Sequence, residues 1–253
     1  VSVVLRYGVE NGKFILNKSM VWPLLRTIPN NTHASLMRRY NWDVLDMVNI
    51  NGRSLTSEQV ESIELKGILK VTSNYDEGRR GQWRIIREYF PSTDQPALVE
   101  SYQIINTGKN ELAIELPQVN QKSITDPKKG VTGSFCIETL TDKSGHFTLQ
   151  PGESLTFGAS LLAYKEGEKA PLIDVQKEKG QREALVGELM NKLVLETPDP
   201  IIDRMFAFSK IRGCESIYET KGGPMHGPGG ESYYAAIWAN DQAEYINPFF
   251  PFV

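Results

Sequence analysis

Apolar positions in the first 175 residues recur with a period of two. Residues 67–73 (GILKVTS), 83–90 (WRIIREYF), 97–106 (ALVESYQIIN), 111–116 (ELAIEL), 133–140 (GSFCIETL) and 154–164 (SLTFGASLLAY) are short runs rich in β-branched and aromatic side chains. Several alternate apolar with polar residues, which predicts strands of sheets with one buried face. Between the runs stand Asn11-Gly12, Asn51-Gly52, Thr107-Gly108-Lys109-Asn110, Lys143-Ser144-Gly145 and Pro151-Gly152. Such residues supply the positive φ angles and local side-chain bonds of tight turns. Many short strands with no helices between them predict a large antiparallel β-sandwich over residues 1–175.

The period then changes. Leu185, Leu189 and Leu193 recur four apart with Val186 and Met190 beside them, inside a charged stretch that also holds Gly180 and Gly187. That pattern predicts a linker helix and connector over 176–199, exposed on one side. Thr197-Pro198-Asp199-Pro200 is a stop-and-restart signal, with Asp199 placed to cap a new helix and Pro200 at its first position. Ile201, Ile202, Met205, Phe206 and Ser209 continue on one helical face to about Ser216, apolar enough to predict burial in a larger helical assembly. Residues 220–230 (TKGGPMHGPGG) follow and predict an irregular loop. They lack the Lys-Ser/Thr of a phosphate-binding loop, and they come after a helix rather than a strand. Such a loop serves either as a flexible connector or as backbone that approaches a ligand closely.

Composition narrows the classes. A 40% apolar and 23% charged chain with net charge −3 is ordinary for a globular protein, and its interspersed charges give no basic stripe for nucleic acid. No apolar run approaches the roughly 20 residues needed to span a bilayer. Cys136 and Cys214 are far apart in sequence and predict two buried thiols rather than a disulfide framework. The chain starts at Val1 rather than Met and closes on an aromatic run without a cap. The expectation is a piece of a longer protein, or one from which a leader has been removed.

Candidate chemistry gathers in the tail. Sugars are held by aromatic rings against their apolar faces and by carboxylates and amides that pair with vicinal hydroxyls. Tyr233, Tyr234 and Trp238, followed by Asn240, Asp241, Gln242, Glu244 and Tyr245, offer both kinds of group. The competing reading makes Asp241 an acid at a helix N-terminus, where it meets the favourable end of the helix dipole. Glu231 after two glycines fits a solvated helix start better than a catalytic acid. His226 in the glycine loop suits a hydroxyl contact, and no second ligand stands at metal spacing. Neither a cofactor nor a metal is implied. His33 and His146 stand alone, and no nucleophile motif is present.

Three passages together resemble the six-hairpin glycosidases. Residues 87–100 (REYFPSTDQPALVE) with 102–108 (YQIINTG) are similar to a strand–loop–strand passage of that superfamily's N-terminal β-sandwich. Thr197-Pro198-Asp199-Pro200 resembles the entry to the first helix of its (α/α)6 barrel, and Trp238-Ala239-Asn240-Asp241 a sugar-contacting segment of that barrel. The resemblance implies a β-sandwich over 1–175, a linker over 176–199 and the incomplete start of an (α/α)6 barrel over 200–253. It implies a carbohydrate substrate held by Asp241, with Trp238 as a pocket wall and Asn240 where many such enzymes carry Arg. It further implies an inverting hydrolase, or a phosphorylase, whose catalytic carboxylates lie outside these residues, so that this segment alone would be inactive. The remainder of the barrel, in the same chain or a partner, would cover the apolar helices, and the substrate class implies a periplasmic or secreted location. The alternative is a non-catalytic β-sandwich module that binds carbohydrate or serves as structure.

Overall fold

The computed structural model describes residues 1–28, 34–227 and 239–252. Its strands, in chain order, are β1 (Ser2–Glu10), β2 (Lys13–Arg26), β3 (Ser35–Tyr40), β4 (Asn49–Ile50), β5 (Arg53–Ser54), β6 (Glu58–Leu65), β7 (Leu69–Asp76), β8 (Gln82–Pro91), β9 (Ala97–Asn106), β10 (Leu112–Leu116), β11 (Asn120–Ile124), β12 (Phe135–Thr141), β13 (Gly145–Leu149) and β14 (Ser154–Lys165). One layer is a seven-stranded sheet in the order β11-β12-β14-β9-β8-β7-β6. Facing it are a three-stranded sheet, β1-β2-β3, and a four-stranded one, β13-β10-β4-β5. Every pairing is antiparallel. The chain is thus mainly β, as its period-two pattern predicts.

Turn chemistry sets the register at two hairpins. Asn11 and Gly12 have φ of 52° and 83°, and Asn51 and Gly52 have φ of 51° and 75°. Two successive positive angles make the two-residue turn whose twist matches antiparallel strands. The partners that close these turns are Glu10↔Lys13 and Ile50↔Arg53.

The core lies between the layers. Trp83, Ile85, Tyr102, Ile104 and Phe157 of the large sheet meet Phe14, Leu16, Ile50, Leu112 and Ile114 of the opposing sheets. A second apolar cluster, including Met20, Trp22, Leu98, Phe135 and Leu161, fills the far end. On β9 all of Ala97–Tyr102 is buried, on both faces. The inner face meets the other layer, and the outer face is covered by helix α1 (Val175–Asn191).

Helix α1 is a strap across the outside of the sandwich. Asp174 caps it, accepting from the backbone N–H of Gln176 and Lys177 at 3.1 Å. Val175, Glu178, Arg182 and Leu189 are its buried residues. The packing stripe therefore begins earlier than the leucine pattern suggests. Of the predicted stripe, Leu189 is buried, whereas Leu193 lies beyond the helix and is exposed. Arg182 donates to the Gly67 carbonyl at 3.0 and 2.7 Å, and Lys179 pairs with Glu88 at 2.6 Å, tying the strap to the sheet. At Gly158 on β14, a Cβ would overlap the Val175 side chain, so the first turn of the strap rests on bare backbone. Gly158→Ala is expected to lower stability by about 1–3 kcal/mol, the usual cost of overpacking. Val175→Ala in the same molecule should recover part of that loss. A urea midpoint unchanged by Gly158→Ala would show that the strap is not seated on the strand.

Helix α2 (Pro200–Cys214) docks on the end of the strap. Asp199 accepts from the Ile201 N–H at 2.8 Å, with Pro200 in the first turn, as the Thr-Pro-Asp-Pro signal predicts. The buried Lys210 ammonium donates to the carbonyls of Met190 and Leu193 at 3.3 and 3.2 Å and to that of Lys192. It thereby satisfies the carbonyls at the C-terminal end of α1, where a cation is favoured. Arg182 also pairs with Glu215 just past α2. The opposite face of α2 is apolar and open, with Ile201, Ile202 and Met205 58%, 48% and 64% exposed.

Part of the glycine-rich stretch is an element after all. Strands β15 (Ile217–Thr220) and β16 (Gly223–His226) pair as a hairpin closed by Thr220↔Gly223. Thr220 Oγ1 donates to the Gly223 carbonyl at 2.7 Å and accepts from the Gly222 N–H at 3.2 Å. This side-chain bonding organises a turn that composition alone made irregular. Cys136 is buried and Cys214 half-buried, and both thiols are free. Among the described residues no helix is long and apolar enough to cross a membrane.

Candidate functional site

The hairpin carries His226 to the tail. Asp241–Ile246 form one π-helical turn, closed where the Asn247 N–H donates to the Gln242 carbonyl at 2.8 Å. This five-residue closure brings Gln242 and Asn247 together. Gln242 Nε2 lies 2.9 Å from His226 Nδ1 and donates to the His226 carbonyl at 3.2 Å. The Phe250 ring stands edge-on to the imidazole, with centroids 5.7 Å apart. Pro224, Met225, His226, Gln242, Asn247 and Phe250 line a concavity of about 330 Å³. That volume lies in the range of small-ligand sites. Its wall combines an imidazole, two amides and an aromatic ring, groups that pair with hydroxyls and rest on the apolar face of a sugar.

Of the sequence-predicted site residues, Trp238 lies outside the described residues, as do Glu231, Tyr233 and Tyr234. Asn240 is exposed and in helical backbone, with no side-chain capping bond. Asp241 opens the π turn, and its side chain lies outside what is described. Gln242 and His226, both noted in sequence for hydroxyl contacts, line the concavity. Asn247 and Phe250 were not singled out by sequence reasoning. Their approach depends on a five-residue helical closure, whereas sequence patterns are read at three- and four-residue spacing. Among the described residues no cluster of His, Cys, Asp and Glu has the geometry to hold a metal ion.

A second polar constellation is interior except for the half-buried Asp43. Lys18 Nζ pairs with Glu100 Oε1 at 2.7 Å, and neither side chain is exposed. Tyr102 Oη is within hydrogen-bond distance of Glu100 Oε2 (2.6 Å) and Asp43 Oδ1 (2.9 Å), while the Tyr89 hydroxyl donates to the other oxygen of Asp43. Beside them Arg87 pairs with Glu58 at 2.7 Å and donates to Ser73 Oγ and Tyr75 Oη, each at 3.0 Å. Burial, and then the Asp43 carboxylate, hold the phenols of Tyr89 and Tyr102 protonated far above the ordinary tyrosine range. Burial pushes the Glu100 carboxyl up, and Lys18 only partly pulls it back. Burial opposes the charge on Lys18, but Glu100 and Asp43 outweigh it and hold the ammonium protonated. Asp43 is driven up by burial, yet the positive charges of Lys18 and Arg87 bring it below the usual carboxylate range. Arg87, Tyr89, Glu100 and Tyr102 all fall in the strand–loop–strand passage of the first resemblance. With the Lys18 and Glu100 side chains closed to solvent, the arrangement joins β2, the turn before Val44–Met47 and the large sheet across the core.

No family profile matches the chain, and no curated protein matches it in sequence. Among solved structures, one match is described as "Putative kojibiose phosphorylase from human microbiome", with 9% identity and a TM-score of 0.46. The match covers 86% of this chain and 35% of that one, so the chain spans about a third of its length. At that similarity it assigns no residue a role.

Proposed function

We propose that these residues are the N-terminal part of a carbohydrate-active enzyme, a glycoside hydrolase or phosphorylase acting on oligo- or polysaccharide. The observation that carries this reading is the tail concavity, where His226, Gln242, Asn247 and Phe250 meet beside Asn240 and Asp241. Asp241, Asn240 and Trp238 are assigned to substrate binding. The order of sandwich, strap helix and a second helix with an open apolar face supports the same reading. The exposed Ile201, Ile202 and Met205 are suited to pack against further helices of an (α/α)6 barrel, in the same chain or a partner. The catalytic acid and base are assigned to that remainder, acting with inversion, in a protein exported to the periplasm or beyond the cell.

Incubating the full-length protein with a panel of disaccharides, with and without inorganic phosphate, tests this. Release of free sugar without phosphate is the expected result for a hydrolase, and phosphate-dependent release of a sugar phosphate for a phosphorylase. Saturable saccharide binding with no turnover in either condition would contradict the enzyme reading in favour of a binding module.

A further inference from the structure

The hairpin that carries His226 stands between the sandwich and the tail. Its two strands are four residues each, and a lone two-stranded hairpin is marginal in water. Where His226 stands is therefore decided by what holds the hairpin. Its base closes where the Gly227 N–H donates to the Ser216 carbonyl at 2.9 Å, next to Glu215, which Arg182 of the strap holds. Register sorts its faces, with Tyr218 opposite Met225 and Ile217 opposite His226. Paired residues share a face of an antiparallel ribbon, and successive residues point to opposite faces. Tyr218 is thus on one face and His226 on the other, where its ring meets Gln242 and Phe250.

The Tyr218 face is the one turned to the sandwich. Burial raises its phenol above the ordinary tyrosine value, and a side-chain hydrogen bond with Ser2 on β1 only partly offsets that. A Cβ on Gly227 would stand 2.8 Å from Tyr218 Cε2 and 3.2 Å from Cδ2, so the ring rests on bare backbone directly after His226. We propose that Tyr218 is a positioning residue of the tail concavity, seating the His226 end of β16 against strand β1. The described lining residues all come from the hairpin and the tail, so the sandwich acts on the concavity through this contact rather than by touching a ligand. A misplacement of about 1 Å is enough to spoil contacts that must converge on one ligand. That the concavity holds a saccharide rests on the proposed function, whereas the placing of His226 by Tyr218 rests on the hairpin and β1 alone.

Two readouts on the full-length protein test the proposal, one of which needs no sugar. The imidazole NMR signals of His226 are assigned by their loss in His226→Gln. Gly227→Ala forces the ring or the backbone to move, and Tyr218→Phe keeps the ring but removes its bond to Ser2. Both are expected to shift the His226 signals while leaving the thermal midpoint in place. On the disaccharide of the panel above that the protein turns over, Gly227→Ala should raise KM about tenfold and Tyr218→Phe about threefold, with kcat held, the split expected when binding alone is lost. Ser2→Ala should match Tyr218→Phe, and the double variant should be no worse than either, because one bond is lost in all three. Shifted His226 signals in a protein that turns over no disaccharide would uphold the positioning role and count against the enzyme reading alone. Unmoved signals in both Gly227→Ala and Tyr218→Phe would overturn the positioning role, as would a fall in kcat that only tracks a lowered thermal midpoint.

Discussion

Replacing Lys18 with methionine is expected to cost about 3–5 kcal/mol of folding stability, because it strands a buried carboxylate. The Glu100 side chain is inaccessible to solvent and its Oε1 accepts from Lys18 at 2.7 Å. Tyr102 remains as a donor to the other oxygen, but no cation would stand beside the charge. Lys18→Met/Glu100→Leu should recover most of the loss, since a well-packed apolar pair of similar volume is often no worse than a buried ion pair. Tyr102 would then keep Asp43 as its acceptor at 2.9 Å. The single variant should also show a distinctive pH dependence. Burial already raises the Glu100 carboxyl above its ordinary value, and losing Lys18 removes the main influence that lowers it. A carboxyl whose folded-state pKa is raised binds its proton more tightly folded than unfolded, so stability falls as pH rises between the two values. The deficit of Lys18→Met should therefore shrink as pH is lowered from 8 toward 5. Urea denaturation across that range measures it. A cost below about 1 kcal/mol for the single variant would mean that the core does not depend on this pair.

That network marks where the sequence was readable and where it was not. The period-two runs from residue 67 onward correspond to strands β7, β8, β9, β10, β12 and β14, because their inner faces are apolar almost throughout. Asn11-Gly12 and Asn51-Gly52 were legible as turns because few residues tolerate two successive positive φ angles. Strand β2 was less legible. Its inner row runs Phe14, Leu16, Lys18, Met20, Trp22, and a lysine in the middle reads as a solvent position until Glu100, which is 82 residues away, is placed against it. Glu58, Arg87 and Glu100 mislead in the same way, since each looks exposed alone and is buried with its partner. The strap helix was legible as a helix but not in its packing stripe, where Glu178 and Arg182 occupy buried positions. In the tail, the aromatic and amide composition pointed to sugar chemistry, but the side chains that line the concavity were brought together by a π turn and a hairpin that leave no simple periodic trace.

Asp241→Ala in the full-length protein is expected to lower kcat/KM on its oligosaccharide by roughly 100-fold or more, about 2.7 kcal/mol of transition-state stabilisation. A carboxylate that accepts hydrogen bonds from two sugar hydroxyls contributes most when those bonds tighten as the ring distorts toward the transition state. Folding should be unaffected, since the turn that Asp241 opens is flanked by the exposed Asn240 and carries the exposed Ala243. Gln242→Ala should weaken the substrate less, because its amide already bonds to His226. The measurement is kcat/KM of wild-type and Asp241→Ala proteins on the same oligosaccharide, with circular dichroism to establish equal folding. A loss of two orders of magnitude in a folded variant is the result predicted for a sugar site in the tail. Equal kcat/KM in the two proteins would contradict it.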